Sequence, residues 1–99
     1  MLTITAVIKV KPGTEETMRK ALLDVADYVR ANEPGTIGFY ISQDEKDPAV
    51  FTTYGRFVDQ AAMDAHNNSA SAARFYKLAK PLFDGDIVLI KAAEISKKA

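Results

Sequence analysis

The chain has 99 residues, enough for one small domain around one hydrophobic core. Thirteen basic residues balance thirteen acidic ones, so there is no excess positive charge to attract nucleic acid, and we expect no nucleic-acid partner. The absence of cysteine excludes disulfides, thiolate metal ligands and cysteine nucleophiles, and it fits a reducing, cytoplasmic location.

The chain begins with a strand pattern that is followed by a helix pattern. Residues 3–11 alternate with a period of two, and Pro12-Gly13 ends this strand. Thr14 is placed to cap a helix that runs to about Ala31, and Glu33-Pro34-Gly35 stops it. The apolar stripe along this helix consists of Met18, Leu22, Val25 and Val29.

A two-stranded hairpin follows the first helix. Residues 36–43 and residues 50–57 both show strand periodicity, and the polar stretch 44–48 joins them. The connection is too short for a crossover, which predicts that the two strands pair in antiparallel fashion.

Two short helices and a fourth strand complete the pattern. Asp59 is placed to cap a helix that contains His66, and Ser69 is placed to cap a second helix that ends at Pro81. Residues 86 to about 93 form the last predicted strand.

The predicted order is βαββαβ, a ferredoxin-like α+β fold with one four-stranded antiparallel sheet and its helices on one face. A single domain spans residues 1–99, of which 96–99 form a polar tail expected to fray. All four strands carry apolar side chains on both faces. We therefore predict a homodimer in which two open sheet faces close a dimeric α+β barrel. The alternative is a monomer that tolerates these side chains in water.

Several kinds of site lack support in the sequence. The five glycines match neither a dinucleotide fingerprint nor a phosphate loop. One histidine without cysteine cannot build a zinc or non-haem iron centre within one chain, so we predict no cofactor and no metal. Apolar runs are short and no basic leader is present, which predicts no transmembrane segment, no membrane partner and no signal peptide.

His66 is the one side chain whose ordinary pKa lies near neutrality. It follows Ala62 and Met63 at helical spacing, so the three share one face of a short helix. A histidine there can act as a general base or as a hydrogen-bond donor at the mouth of an apolar cavity. The alternative is a helix-end histidine that caps carbonyl groups or faces water.

Several short stretches between Glu33 and Ser69 follow one another in a specific order and spacing. They are Glu33-Pro34-Gly35-Thr36-Ile37-Gly38-Phe39, Asp47-Pro48, Tyr54-Gly55-Arg56-Phe57, Ala61-Ala62-Met63-Asp64-Ala65-His66 and Ser69. Together they resemble the antibiotic biosynthesis monooxygenase (ABM) domain family, which includes small quinol monooxygenase-like proteins. With its flanking elements, the likeness extends over essentially the whole chain.

The resemblance implies a ferredoxin-like fold, a dimeric α+β barrel and a pocket between helices and sheet. It implies oxygen insertion into a small aromatic substrate, such as a hydroquinone or polycyclic phenol, without flavin or metal. His66 would be the base or orienting group, with Tyr54 or Tyr40 as its hydroxyl partner. The residues expected to line the substrate pocket are Met63, Phe75 and Tyr76. For each tyrosine the alternative is an ordinary strand aromatic, and for the pocket residues it is core packing.

The chain also departs from the family pattern. Family members commonly carry Glu after the strand tyrosine, where this chain has Gly55, and a second His and a Phe where Ser71 and Ala72 stand. The haem-degrading branch uses a first-strand Asn and a Trp; here Ala6 takes the strand position and Trp is absent, which disfavours haem degradation. Two alternatives remain: a small isomerase of oxidised sugars or lactones, and a non-catalytic dimer that binds a hydrophobic ligand.

Overall fold

The computed structural model describes residues 1–98 and has the predicted βαββαβ order, with the second helical segment divided in two. The strands form one antiparallel sheet in the order β2-β3-β1-β4, which confirms the predicted fold class. The elements are β1 (Leu2–Lys9), α1 (Glu15–Asn32), β2 (Thr36–Gln43), β3 (Val50–Phe57), α2 (Gln60–Asn67), α3 (Ala70–Ala79), a 3₁₀ turn (Lys80–Leu82) and β4 (Val88–Ala93).

Residues 94–98 follow β4 without a helix or strand, and the predicted frayed tail ends at Ala99, which lies outside the described residues. Within residues 1–98, each helix is too short or too polar to cross a membrane.

The helices cover one face of the sheet. The larger core cluster joins strand residues to α1 and α3, and its fully buried members include Val10, Met18 and Ala79. A second cluster of Ile4, Phe57 and Met63 holds α2 against β1 and β3. Burial of these apolar side chains is the main force that fixes the helices on the sheet.

The caps of the two short helices follow the sequence prediction. The Asp59 carboxylate and the Ser69 hydroxyl each accept a hydrogen bond from the backbone N–H three residues later, at 2.8 and 3.0 Å. Thr14 occupies the predicted N-cap position of α1, but its hydroxyl donates to the Lys11 carbonyl and makes no cap hydrogen bond. The caps at Asp59 and Ser69 thus fix the residues at which α2 and α3 begin, one before and one after the break between the two helices.

The alternation of β2 is broken at its start. The register shifts between Thr36 and Gly38, so β2 contains a β-bulge there. The sequence pattern put Ile37 on one face with Phe39 and Ile41, yet Ile37 is 46% exposed and Phe39 is half-buried. The extra residue takes Ile37 out of the alternation that the rest of the strand keeps.

The sheet face away from the helices is apolar and open. We call it the open face and define it by the exposed side chains of Val7, Tyr40, Tyr54, Val88 and Ile90. Tyr40 and Tyr54 are register partners whose stacked rings lie 6.4 Å apart. Apolar side chains thus occupy both faces of the sheet, as the sequence predicts.

A bidentate ion pair borders the open face. The Arg56 guanidinium donates through two nitrogens to the two carboxylate oxygens of Glu94, both at 2.9 Å. The two side chains are 23% and 12% exposed, so the pair is partly shielded from water. It connects β3 to the residue that follows β4, across the intervening strand β1.

This ion pair is expected to make stability depend on acid pH. The hydrogen bonds from Arg56 hold the pKa of Glu94 below its ordinary value of 4.5. A lowered folded-state pKa means that the pair stabilises the fold above pH 4.5 and that this contribution is lost as the pH falls through the folded-state value. The melting temperature of Glu94→Gln should therefore lie below that of the unaltered protein at pH 7, with the gap closing toward pH 3. The exposed Glu45→Gln serves as the control, and a gap that is constant with pH would contradict the assignment.

Gly35 allows close contact between the start of β2 and helix α2. A Cβ at residue 35 would lie 2.6 Å from the Ala62 Cβ, closer than real Cβ atoms approach. We expect Gly35→Ala to lower the free energy of unfolding by about 1–3 kcal/mol, measured by urea titration, because α2 must move. Adding Ala62→Gly removes the clashing carbon and should restore part of the lost stability. The recovery is incomplete because glycine in a helix costs about 1 kcal/mol relative to alanine. Equal stability of Gly35→Ala and the unaltered protein would refute this packing role.

Candidate active site

A cavity of about 220 Å³ lies between the helices and the covered face of the sheet. Most of its lining is apolar and includes Ile4, Phe39 and Phe57 from three strands. Its polar lining includes His66 and Glu33. An apolar cavity with a few convergent polar groups is the usual form of a small-molecule site.

His66 and Glu33 form a hydrogen-bonded pair inside this cavity. The distance between His66 Nδ1 and Glu33 Oε1 is 2.8 Å, and the side chains are only 15% and 8% exposed. Because a carboxylate oxygen accepts, we assign the proton to Nδ1, which leaves Nε2 as the acceptor of the neutral ring. This is the arrangement that a histidine general base requires.

Glu33 is fixed by the turn between α1 and β2. Its backbone N–H donates to the Val29 carbonyl at the end of α1, and its own carbonyl accepts from the Thr36 N–H. The Thr36 hydroxyl also donates to Oε1 at 2.8 Å. The other carboxylate oxygen, Oε2, is buried without a hydrogen-bond partner among the described residues.

His66 is fixed by the break between α2 and α3. It lies in the last turn of α2, and the Ser69 hydroxyl donates to its carbonyl at 3.0 Å. The same hydroxyl caps α3, so one side chain holds both helix ends. The close contact of Gly35 with Ala62 brings α2 to the turn that carries Glu33.

Two phenylalanine rings pack against the His66 ring. Their centroids lie 5.4 Å (Phe39) and 5.2 Å (Phe57) from that of the imidazole. Gly55 makes room for the second ring, because a Cβ at residue 55 would lie 2.9 Å from Phe57 Cζ. The rings limit the access of water to the pair and so strengthen its hydrogen bond.

Two of the three predicted pocket residues line the cavity. Phe75 and Tyr76 are both in its lining, with their rings packed edge to face 5.5 Å apart. Met63 is not in the lining; it is 2% exposed and lies in the core cluster with Ile4 and Phe57. Within residues 1–98, histidine and carboxylate side chains form no group of three or more that could hold a metal ion.

The structure does not bring the two predicted tyrosines to His66. Tyr40 and Tyr54 point to the open face, because each is adjacent in its strand to a residue of the cavity lining, Phe39 or Gly55. The side chain that hydrogen-bonds to His66 is Glu33, whose site role the sequence reasoning missed. The available signal was its place at the head of the Glu33-Pro34-Gly35 motif.

Known proteins share this fold over nearly the whole chain. The family model described as antibiotic biosynthesis monooxygenase matches residues 1–78. A solved structure described as an antibiotic biosynthesis monooxygenase is 22% identical, with a TM-score of 0.89, and the match covers 97% of this chain and 100% of that one. A structure from Caulobacter crescentus, described as a putative antibiotic biosynthesis monooxygenase, is 21% identical, with a TM-score of 0.89 and coverage of 96% and 90%. Another, from Nitrosomonas europaea, is 20% identical, with a TM-score of 0.88 and coverage of 97% and 100%.

At these identities the solved structures establish the fold alone. Among curated proteins, none matches this sequence at a significant level. The family model, however, covers well over half of the chain, including the Glu33–His66 pair. The chain therefore belongs to the antibiotic biosynthesis monooxygenase family.

Proposed function

We propose that this protein oxidises an electron-rich aromatic compound, such as a hydroquinone or a polycyclic phenol, with molecular oxygen and without a bound cofactor. At the level of its family, the activity is that of a monooxygenase. The observation that carries the finer proposal is the His66 imidazole, held by Glu33 at 2.8 Å among apolar rings in a cavity.

The geometry suits removal of a proton from a bound phenol. The phenolic O–H donates to Nε2 of His66, which takes the proton as the phenolate forms. The Glu33 carboxylate accepts from Nδ1 and stabilises the imidazolium that results, as the acidic member of a catalytic triad does. The surrounding rings keep water away from the anion, so the phenolate remains a good electron donor to oxygen.

The reaction balances without an external reductant when the substrate is a hydroquinone. One oxygen atom enters the ring in place of a hydrogen, and the hydroquinone becomes a hydroxyquinone. The substrate supplies all the electrons needed to reduce the second oxygen atom to water. The proton taken up by His66 returns to that water.

Oxygen uptake tests the proposal. The unaltered protein and His66→Ala are compared on a panel of hydroquinones and polycyclic phenols under ¹⁸O₂. We expect uptake that needs His66, one labelled oxygen atom in the product and the other in water. Absence of uptake by the unaltered protein, or equal uptake by both proteins, would refute the proposal for this substrate class.

The same pair also suits a second candidate function. A histidine oriented by a carboxylate can move a proton between two carbon atoms, as an isomerase of oxidised sugars or lactones requires. Such a reaction consumes no oxygen, so anaerobic conversion of a lactone distinguishes it. If His66→Ala binds an aromatic ligand unchanged and neither protein shows turnover, the non-catalytic alternative holds.

We further propose that two copies pack through their open faces. The supporting observation is that Tyr40, Val88 and Ile90 are all more than half exposed on a sheet with no helix on that side. The mass in solution at micromolar concentration is expected to be that of a dimer. Ile90→Lys should shift it toward the monomer, because it places a charge in the interface. The control is Leu78→Lys, which alters a similarly exposed side chain on α3. A monomeric unaltered protein would refute the dimer.

A further inference from the structure

Lys91 is a cation in the lining of the cavity. It lies on β4, an edge strand, with an exposed side chain. Within residues 1–98, no carboxylate forms an ion pair with it, although three arginine–carboxylate pairs are formed. The ammonium group is therefore available to a ligand that enters the cavity.

Lys91 and His66 belong to opposite ends of the site. The strand register aligns Phe39, Gly55, Ile4 and Lys91 in one row across the sheet, all in the cavity lining. Three inter-strand spacings of about 4.8 Å place Phe39 and Lys91 roughly 14 Å apart. The His66 ring packs against Phe39, so the acid–base pair is at one end of the row and the cation at the other.

The two ends favour different groups on a ligand. At the inner end, the Nδ1 of His66 is engaged by Glu33, so Nε2 is the acceptor to which a ligand hydroxyl can donate. A negatively charged group there would be repelled by the Glu33 carboxylate. At the outer end, the Lys91 ammonium attracts an anion, whereas an uncharged ligand offers it no charged partner.

We propose that the cavity selects an aromatic compound with a hydroxyl group at one end and a carboxylate or similar anion at the other, and that Lys91 recognises the anion. This inference rests on the proposed function in that the bound aromatic is taken to be its substrate. Lys91 is then a specificity residue: it orients the ring so that the hydroxyl reaches His66.

Binding of 6-hydroxy-2-naphthoate tests the inference without requiring turnover. This probe carries its hydroxyl and carboxylate at opposite ends, and its methyl ester is the neutral control. We expect the unaltered protein to bind the acid more tightly than the ester, by titration calorimetry. Lys91→Met should weaken binding of the acid by about fivefold and leave the ester unchanged, the size expected for a partly exposed ion pair.

Two further variants separate charge from fold. Lys91→Arg should keep the preference for the acid, and Lys20→Met removes a lysine of α1 outside the cavity lining and should have no effect. Added salt should reduce the preference. Three results would overturn the inference: neither probe binds, the acid and the ester bind equally, or Lys91→Met binds the acid as tightly as the unaltered protein does.

The binding experiment gives its result whether or not the protein is a monooxygenase. A preference for the acid that depends on Lys91, with no oxygen uptake on any phenol, would support the ligand class and refute the monooxygenase proposal. Oxygen uptake on neutral hydroquinones, with no preference for the acid, would refute only the role of Lys91.

Discussion

Replacement of His66 by glutamine is expected to lower the turnover number for oxygen uptake by about 10²- to 10⁴-fold, the usual contribution of a positioned general base. Glutamine can still form a hydrogen bond with Glu33, but it cannot take a proton from a phenol. KM should change much less than the turnover number, since the apolar lining that binds the ring is intact. Stopped-flow or electrode measurements of oxygen uptake provide both constants.

Glu33→Gln tests whether the partner of His66 acts through the imidazole. The amide can present an N–H to Nδ1 and so favour the tautomer in which Nε2 carries the proton. We expect a lower turnover number and an altered pH profile, which a purely structural role would not produce. Asn67→Ala changes a neighbouring lining residue and should keep the profile. A folded His66→Gln protein with full activity would contradict the assignment of the base.

Replacement of Phe57 by alanine is expected to lower the free energy of unfolding by about 3–5 kcal/mol. The side chain is fully buried and packs with Ile4 and Met63, which join the sheet to α2. Its removal leaves a void beside the His66 ring as well, so oxygen uptake should fall together with stability. Denaturant titration monitored by far-ultraviolet circular dichroism measures the first effect.

Phe57→Leu is the matched control for this prediction. Leucine keeps most of the buried apolar surface and should lose far less stability than alanine. Phe75→Ala removes the same type of ring from a half-buried position and should also cost less. A loss below about 1 kcal/mol for Phe57→Ala would show that the site can collapse around the missing ring and would refute its structural role.

Periodicity and local capping made most of the fold predictable. Residues 36–43 and 50–57 are strands with the expected bounds, and Asp59 and Ser69 cap the helices they were expected to cap. The exception at Ile37 arises from a bulge, which changes one residue's face without changing the composition of the strand.

The site was predictable only in part, because it depends on contacts between distant residues. His66 could be placed by helical spacing, but its partner is 33 residues away in the chain. A glutamate after a helix ordinarily faces water, whereas this one is held in the interior by its hydrogen bonds with Thr36 and His66 and by the packing of Gly35 on Ala62. The tyrosines were assigned by chemical type, whereas strand alternation places them on the opposite face.

The break between α2 and α3 separates two tasks along the chain. The acid–base group is in α2 and the turn before β2, whereas α3 contributes Phe75 and Tyr76 to the cavity. Ser69 joins the two helices through one hydroxyl, so substitutions further along α3 leave the hydrogen bonds of His66 in place. Changes in α3 can thus reshape the cavity for a new ring system while the reactive pair is inherited unaltered.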